Sequence, residues 1–79
     1  MEKIEITTRF NREGKLIPLE FILGDDQIRI LNIGRQWETE GGKHILVMDH
    51  QENTYHLFFD LTDLSWYIIR DLIGPADKI

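Results

Sequence analysis

The chain has 79 residues, of which 42% are hydrophobic and 29% charged, with no cysteine and a formal net charge of -5. These values predict one compact domain and exclude a disulfide framework, a thiolate zinc site and a disordered chain. No apolar run approaches the ~20 residues of a membrane-spanning helix, and the start lacks the basic and apolar segments of a secretory signal. We therefore expect a soluble cytoplasmic protein that does not enter a membrane.

Small size makes stability the first physical problem. A domain of this length buries only about 60–65% of the surface that its unfolded chain exposes. Below roughly 80 residues, one core rarely supplies more than ~3–5 kcal/mol without a disulfide, a metal or oligomerisation. The alternative is a dense aromatic core, for which the candidates are Phe10, Phe21, Trp37, Tyr55, Phe58, Phe59, Trp66 and Tyr67.

Alternation of apolar and polar residues predicts two strands in the first part of the chain, joined by a polar turn. The inward positions of the second strand are Ile17, Leu19, Phe21 and Leu23. A four-residue turn then pairs Ile6 with Leu19 and Ile4 with Phe21. Pro18 has no N–H to donate to a neighbouring strand, so we expect an edge or a bulge beside it.

A third strand begins at Ile28, and its pattern changes part-way along. Ile28 and Ile30 point inward, whereas Ile33 and Trp37 take the apolar positions further on. Such a change of parity is typical of a β-bulge, and Gly34 would let the strand bend as at a barrel corner.

The rest of the chain predicts three more strands, at residues 44–50, 54–61 and 66–70. The inward positions of the first two are Ile45, Val47, Tyr55, Leu57 and Phe59. We therefore predict an all-β fold, a small antiparallel meander of five or six strands that is curled or closed as an SH3-like barrel. Residues 1–71 would form the single β-domain, and residues 72–79 a C-terminal tail.

An open sheet with a terminal helix over residues 60–73 is the alternative fold. The residues with roughly helical spacing are Leu61, Leu64, Ile68 and Leu72. Against a helix, the run from Trp66 to Ile69 consists of aromatic and β-branched residues, which favour strands.

The histidines His44, His50 and His56 are the candidates for a metal site. Six strand residues span ~20 Å, so no single ion can bind both His44 and His50. His50 and His56 could meet across a hairpin, but two ligands fall short of the usual three or four. We therefore predict no metal or other cofactor, and we keep a small-ligand or metal site near His50 and His56 as a third functional option.

The acidic and hydroxyl residues predict turns rather than catalysis. Asp25 and Asp26 stand beside Gly24, where aspartate favours bonding to the local backbone. A Ser-His-Asp site would need Ser65, the only serine, held against a histidine in a cleft. The sequence also lacks a phosphate loop, a dinucleotide fingerprint and a metalloprotease motif. We therefore predict that the protein is not an enzyme.

Apolar residues on the outer face of the second half of the sheet are the more informative anomaly. The predicted hairpin pairs Leu46 with Phe58 and Met48 with His56, all pointing outward. The sixth strand adds either Trp66 and Ile68 or Tyr67 and Ile69 to this side. The candidate partner-binding residues are Leu46, Met48, Phe58 and Trp66. Either the tail covers this face, or the partner is another protein or a second copy in a homo-oligomer.

Binding to nucleic acid is the alternative function. Such binding needs clustered cations that displace phosphate counterions, and the net charge of -5 argues against it. Arg9, Arg29 and Arg35 in the first half could still form a local basic face. We expect weak or no binding.

One pattern of apolar, aromatic and turn positions extends over residues 16–71. It comprises Pro18, Phe21, Gly24, Ile28, Ile30, Ile33, Trp37, Val47, Tyr55, Leu57, Phe59, Asp60, Trp66 and Arg70. This pattern resembles a family of uncharacterised small bacterial β-domains, which occur alone or as appendages, some related to accessory proteins of Y-family DNA polymerases. The resemblance implies a small β-domain without an assigned activity. Typical members have many arginines around the positions of Gly24 and Trp37, whereas this chain has only Arg29 and Arg35 there.

Overall fold

The computed structural model describes residues 1–70, which form six antiparallel strands and no helix. The strands are β1 (Glu2–Phe10), β2 (Leu16–Leu23), β3 (Asp26–Thr39), β4 (Gly42–Asp49), β5 (Thr54–Asp60) and β6 (Ser65–Ile69). Each strand pairs with the next, and β6 pairs with β1, which closes a small barrel. The predicted all-β antiparallel meander is confirmed.

The alternative helix over residues 60–73 does not form in its described part. Residues 61–64 make a turn, and β6 follows directly. β6 is rich in aromatic and β-branched residues, which pack well on a pleated surface. The predicted domain boundary at residue 71 and the predicted tail, residues 72–79, lie outside the described residues.

β1 and β3 each take part in two sheets. β1 pairs with β6 through residues 2–4 and with β2 through residues 5–10. β3 pairs with β2 through residues 26–29 and with β4 through residues 30–39. The barrel therefore consists of a small sheet of β1, β2 and β3 and a larger one that runs β1, β6, β5, β4 and β3.

The core lies inside this barrel, where inward side chains of the two sheets meet. Its buried members are Phe21, Ile45, Val47, Leu57, Trp66 and Ile68. Phe21 meets Tyr55 edge to face, with ring centroids 5.2 Å apart, and the rings of Phe59 and Trp66 lie 5.0 Å apart. Burying one such side chain contributes ~1.5–3 kcal/mol. The predicted inward positions of β4 and β5 are confirmed.

The predicted aromatic core is only partly correct: Phe21, Tyr55, Phe59 and Trp66 belong to a core that is otherwise aliphatic. The other four candidates lie outside it, because Phe10 is 68% exposed and Trp37, Phe58 and Tyr67 point outward.

The predicted register between β1 and β2 is wrong, in part because β2 contains a bulge. Ile6 lies opposite Phe21, two residues from the predicted Leu19. The turn contributes one residue of this shift, because Phe10 pairs with Leu16 rather than Lys15, and the bulge contributes the other, because Leu19 has no partner in β1. Leu19 is 42% exposed, whereas Pro18 beside it is buried. The parity of the first half of β2 is thereby reversed, and Leu16 packs on the core. A bulge is where a strand tolerates a proline that cannot donate to the ladder.

β3 contains two register shifts against β4, one at Leu31 and one around Gly34. The predicted change of parity and the predicted bulge are therefore confirmed. Each bulge adds a residue to β3 and increases its local twist. The second one sets Trp37 opposite His44, on the outer side of the sheet.

β4 and β5 pair two residues away from the predicted register. Leu46 lies opposite His56 rather than Phe58. The cause is Asp49, which ends β4 and whose carboxylate accepts two backbone N–H groups of the following turn at 2.8 and 2.9 Å. Because the shift is an even number of residues, each side chain keeps its predicted face.

Candidate functional site

The outward side chains of β3, β4, β5 and β6 form one continuous surface, which we call the outer face. Strand pairing arranges them in rows, with His44 opposite Phe58 and Leu46 opposite His56. Its members are the apolar, aromatic and imidazole side chains Trp37, His44, Leu46, Met48, His56, Phe58, Tyr67 and Ile69. All of them are half-buried or buried. The other outward side chains of these strands are polar and lie at the edges of the face: Asn32, Thr39, Thr54, Asp60 and Ser65.

Phe58 anchors the outer face. Its side chain is only 9% exposed, although it points away from the core. The ring lies over Gly42, where a β-carbon would collide with the ring and with the backbone oxygen of Phe59. On its other side the ring approaches the imidazole of His44, with centroids 4.7 Å apart. The missing side chain of Gly42 therefore creates the space in which the ring packs.

His44 stands at the centre of the contacts on the outer face. Its imidazole stacks on the indole of Trp37, with centroids 5.0 Å apart and planes only 3° apart. Its Nδ1 lies 2.8 Å from Nε2 of His56, and its Nε2 lies 2.9 Å from the hydroxyl oxygen of Thr39. Burial lowers the pKa of His44, which favours the neutral ring. One proton fits between the two facing nitrogens, so one imidazole donates and the other accepts.

Charged groups lie at the edges of the outer face. The guanidinium carbon of Arg35 lies 5.2 Å from the ring centroid of Trp37, and Lys3 of β1 lies opposite Tyr67. The hydroxyl of Tyr67 donates to the carboxylate of Asp63 at 2.6 Å, and this bond raises the pKa of Tyr67. An apolar and aromatic centre with a polar rim is the usual anatomy of a protein–protein interface.

Three of the four predicted partner-binding residues lie together on the outer face. Leu46 and Met48 are half-buried there, beside the buried Phe58. The prediction for Trp66 is wrong, because its side chain lies in the core and is 6% exposed. The sequence did not decide whether Trp66 and Ile68 or Tyr67 and Ile69 point outward from β6. In the structure Tyr67 and Ile69 do.

The structure does not bring His50 to His56, although the sequence allowed the two to meet across a hairpin. His50 lies exposed in the turn after β4, and His56 contacts His44. The two-residue shift in the β4–β5 register brings His44 and His56 together. The residue in the sequence that could have indicated this shift is Asp49, because an aspartate side chain often accepts a hydrogen bond from the backbone two residues further on and so favours a turn. Residues 1–70 contain no group of three or more histidine, aspartate or glutamate side chains placed to hold a metal ion.

The arginines named in the nucleic-acid hypothesis do not form one face. Arg29 lies opposite Glu20, with its Nε 3.9 Å from the carboxylate. Arg9 lies in the part of β1 that pairs with β2, whereas Arg35 belongs to the other sheet and packs on Trp37. A compact basic patch is therefore not built from these three side chains.

A cleft of about 480 Å³ lies between the start of β3 and the turn after β4. Its lining residues are Asp26, Gln27, Ile28, Arg29, Asp49, His50 and Gln51. This lining is mainly polar, whereas small-molecule sites are mostly apolar with a few polar groups. The carboxylate of Asp49 already accepts bonds from Gln51, Asn53 and Tyr55, so its oxygens are occupied by the protein itself.

No protein-family model, curated protein or solved structure matches the chain. The resemblance to the small bacterial β-domains therefore stays a prediction. Within residues 1–70 the structure has no helix long and apolar enough to cross a membrane.

Proposed function

We propose that this protein is a non-catalytic docking module that associates with a second copy of itself through the outer face. The observation that carries the proposal is the make-up of that face. From Thr54 to Phe58 on β5, and from His44 to Met48 on β4, every outward side chain is apolar, aromatic, hydroxyl or imidazole. Aromatic residues and methionine are enriched at interface cores, and charged residues are depleted there.

The outer face lacks a second layer within the described chain. Within residues 1–70 each strand lies alongside only its two neighbours around the barrel, and the side chains that meet across it, such as those of Phe21 and Tyr55, do so in its interior. Leu46, Met48 and Ile69 are half-buried, and within residues 1–70 the strands beside them belong to the same sheet. A partner that covered them would remove further apolar surface from water, at about 25 cal/mol per Å².

A second copy is the occupant that the charge distribution favours. A chain with a net charge of -5 repels its own copy unless the contact surface excludes the acids. The outer face does so, and two such faces can meet without opposing like charges. Sheet faces pack together at ~10 Å, with their side chains interdigitated. Self-association would also supply part of the stability that a domain of this size lacks.

The neighbours of the polar groups support a role without catalysis. Ser65 has its hydroxyl 3.5 Å from the backbone oxygen of Asp63, in a turn and not beside a histidine. Asp49 is held in a turn by its four hydrogen bonds. His44 faces His56, the hydroxyl of Thr39 and the rings of Trp37 and Phe58.

The test is the solution mass of the wild type and of Leu46→Asp, measured by sedimentation over a wide range of concentration. We expect the wild type to shift from 9.4 kDa to twice that mass as its concentration rises, and the variant to remain a monomer. Leu64→Asp is the matched control, because Leu64 is a 69% exposed leucine in the turn before β6. A wild-type chain that stays monomeric at ~1 mM would overturn the proposal.

A further inference from the structure

We infer that His44 and His56 form half of a four-imidazole site for a divalent transition-metal ion such as Zn²⁺, and that the same pair in a second copy forms the other half. The inference rests on the proposed self-association, since one chain supplies only two ligands. Imidazole nitrogen is a ligand that suits Zn²⁺, Cu²⁺ and Ni²⁺. Structural Zn²⁺ sites are almost always four-coordinate and tetrahedral.

The two nitrogens that would bind the ion are already close together. Nδ1 of His44 lies 2.8 Å from Nε2 of His56. Two ligands of a tetrahedral ion with Zn–N bonds of about 2.0–2.1 Å stand ~3.3 Å apart. The pair therefore needs to open by roughly half an ångström, and each lone pair must turn from the facing nitrogen toward the ion, which rotation about the side-chain bonds of the two rings supplies.

The ring of His44 is held by contacts on several sides. Its stacking partner is Trp37, with parallel planes, and its edge is packed by Phe58. Nε2 of His44 lies 2.9 Å from the Thr39 hydroxyl, which can accept the proton of that nitrogen. With the proton on Nε2, the lone pair of Nδ1 points toward His56. Metal-binding histidines usually have such a partner on the second nitrogen, and it fixes the tautomer.

Binding requires no proton to leave the protein. In the metal-free chain one of the facing nitrogens carries the shared proton. When the ion binds, that proton moves to the other nitrogen of the same ring, so both imidazoles stay neutral and donate lone pairs. The two chains together bring a charge of -10, twice -5, which a divalent cation reduces.

The position of the pair within the outer face makes sharing with a second copy geometrically possible. His44 lies on β4 and His56 on β5, the two middle strands of the four that carry the outer face. A two-fold axis through the middle of the face would therefore pass near both rings. Sheets that pack at ~10 Å bring the tips of opposing side chains to the same plane. The four imidazole nitrogens, two from each copy, would then surround one point. The bound ion would stabilise both small domains.

The experiment is a titration of the full chain with Zn²⁺ after all metal has been removed with a chelator. Calorimetry gives the stoichiometry, and sedimentation gives the mass at each ratio. Co²⁺ replaces Zn²⁺ in a parallel titration, because its visible absorption bands report tetrahedral coordination. At a concentration where the metal-free chain is still mainly monomeric, we expect one ion per two chains, a doubling of the mass from 9.4 kDa and tetrahedral Co²⁺ bands.

The variants locate the site and separate it from the protein's third histidine. His44→Asn and His56→Asn should each abolish the metal-dependent doubling, whereas His50→Asn should behave as the wild type. Thr39→Val keeps the shape of the side chain and removes its hydroxyl, and we expect ~10–100-fold weaker Zn²⁺ binding. Far-ultraviolet circular dichroism shows whether each variant is folded, and His56→Asn preserves the stack of His44 on Trp37.

The experiment distinguishes failure of the metal site from failure of the self-association. A dimer that forms without metal and binds no Zn²⁺ would overturn the metal site and leave the self-association standing. One ion per monomer, octahedral Co²⁺ bands, or equal losses in His50→Asn and His56→Asn would likewise overturn the shared site. A chain that neither binds Zn²⁺ nor associates at ~1 mM would overturn both proposals.

Discussion

At the scale of single residues, the pair of Gly42 and Phe58 shows how the outer face is built. An aromatic ring on the solvent side of a sheet normally remains exposed, but this ring fills the space above a glycine. The glycine weakens its own strand, because it has no side chain to pack. The ring of Phe58 compensates for that loss by covering the bare backbone.

We expect Gly42→Ala to lower the free energy of unfolding by about 3 kcal/mol, the upper end of the range for overpacking. The new β-carbon would meet the Phe58 ring and also the backbone oxygen of Phe59, which cannot move cheaply. Urea denaturation measures the loss. Gly41→Ala is the control, since it has open space but a positive φ of 101°, and should cost less, about 1–2 kcal/mol, from backbone strain alone. A Gly42→Ala protein as stable as the wild type would contradict this packing.

Asp49 makes stability depend on pH at the acidic end. Burial alone would raise its pKa, but bonds from Asn53, Gln51 and Tyr55 outweigh burial and hold the pKa below its ordinary value. The folded state therefore binds this proton less readily than the unfolded state, whose pKa is about 3.9. The stability that Asp49 contributes is present above that value and is lost as the pH falls through the lower, folded value.

We expect Asp49→Asn to cost about 1.5–3 kcal/mol at neutral pH, because it removes the charge from several hydrogen bonds. The difference from the wild type should shrink as the pH falls below ~4. Unfolding curves recorded between neutral and acidic pH measure it. Asp25→Asn, in an exposed turn, should change stability by less than about 0.5 kcal/mol. A difference that stays constant with pH would show that the Asp49 carboxylate is not the source.

At the scale of strands, the alternation of apolar and polar residues predicted which side chains point inward. It did not predict the hairpin registers, which single residues determine. The inward positions of β4 and β5 follow from strict alternation, and the bend of β3 follows from its change of parity after Ile30. The hairpin registers do not follow, because the carboxylate of Asp49 sets one turn and an extra residue, Leu19, shifts the other hairpin. The contact of His44 with His56 depends on the first of these registers, so alternation alone could not reveal it.

The bulge in β2 gives a direct test with two leucines. Leu19 is the extra, 42% exposed residue, whereas Leu57 is fully buried in the core. We expect Leu19→Ala to cost less than about 0.5 kcal/mol and Leu57→Ala about 2–5 kcal/mol. Thermal and chemical unfolding of the two variants compares them. Equal losses would mean that β2 has the regular register, with Leu19 inside the barrel.

At the scale of the whole molecule, the distribution of charge decides which partners can approach. The net charge is -5, and Arg9, Arg29 and Arg35 lie in different parts of the barrel. Few phosphates can be neutralised at one place by such an arrangement. In addition, the indole of Trp37 already stacks on His44 and faces Arg35, which leaves less ring surface for a base.

We therefore expect any ~20-nucleotide DNA or RNA, single-stranded or duplex, to bind more weakly than about 10 μM in ~150 mM salt. Fluorescence anisotropy of labelled oligonucleotides measures this affinity. The charge-reversed variant Arg35→Glu should bind no differently from the wild type. A sub-micromolar affinity that falls steeply with added salt would instead favour an accessory role on nucleic acid.

Self-association also predicts that the unfolding midpoint depends on protein concentration. A dimer stabilises only the folded state, so each tenfold rise in concentration should add about 0.7 kcal/mol per chain, or roughly 3–6 °C, once dimers dominate. Leu46→Asp should abolish this dependence, because its charge lies in the contact surface. Phe58→Glu should instead lower the free energy of unfolding by about 2–4 kcal/mol, because the ring is buried within one chain. The midpoint should therefore fall at every concentration. A midpoint that is independent of concentration in the wild type, yet lowered by Leu46→Asp, would mean that the same chain covers its own outer face.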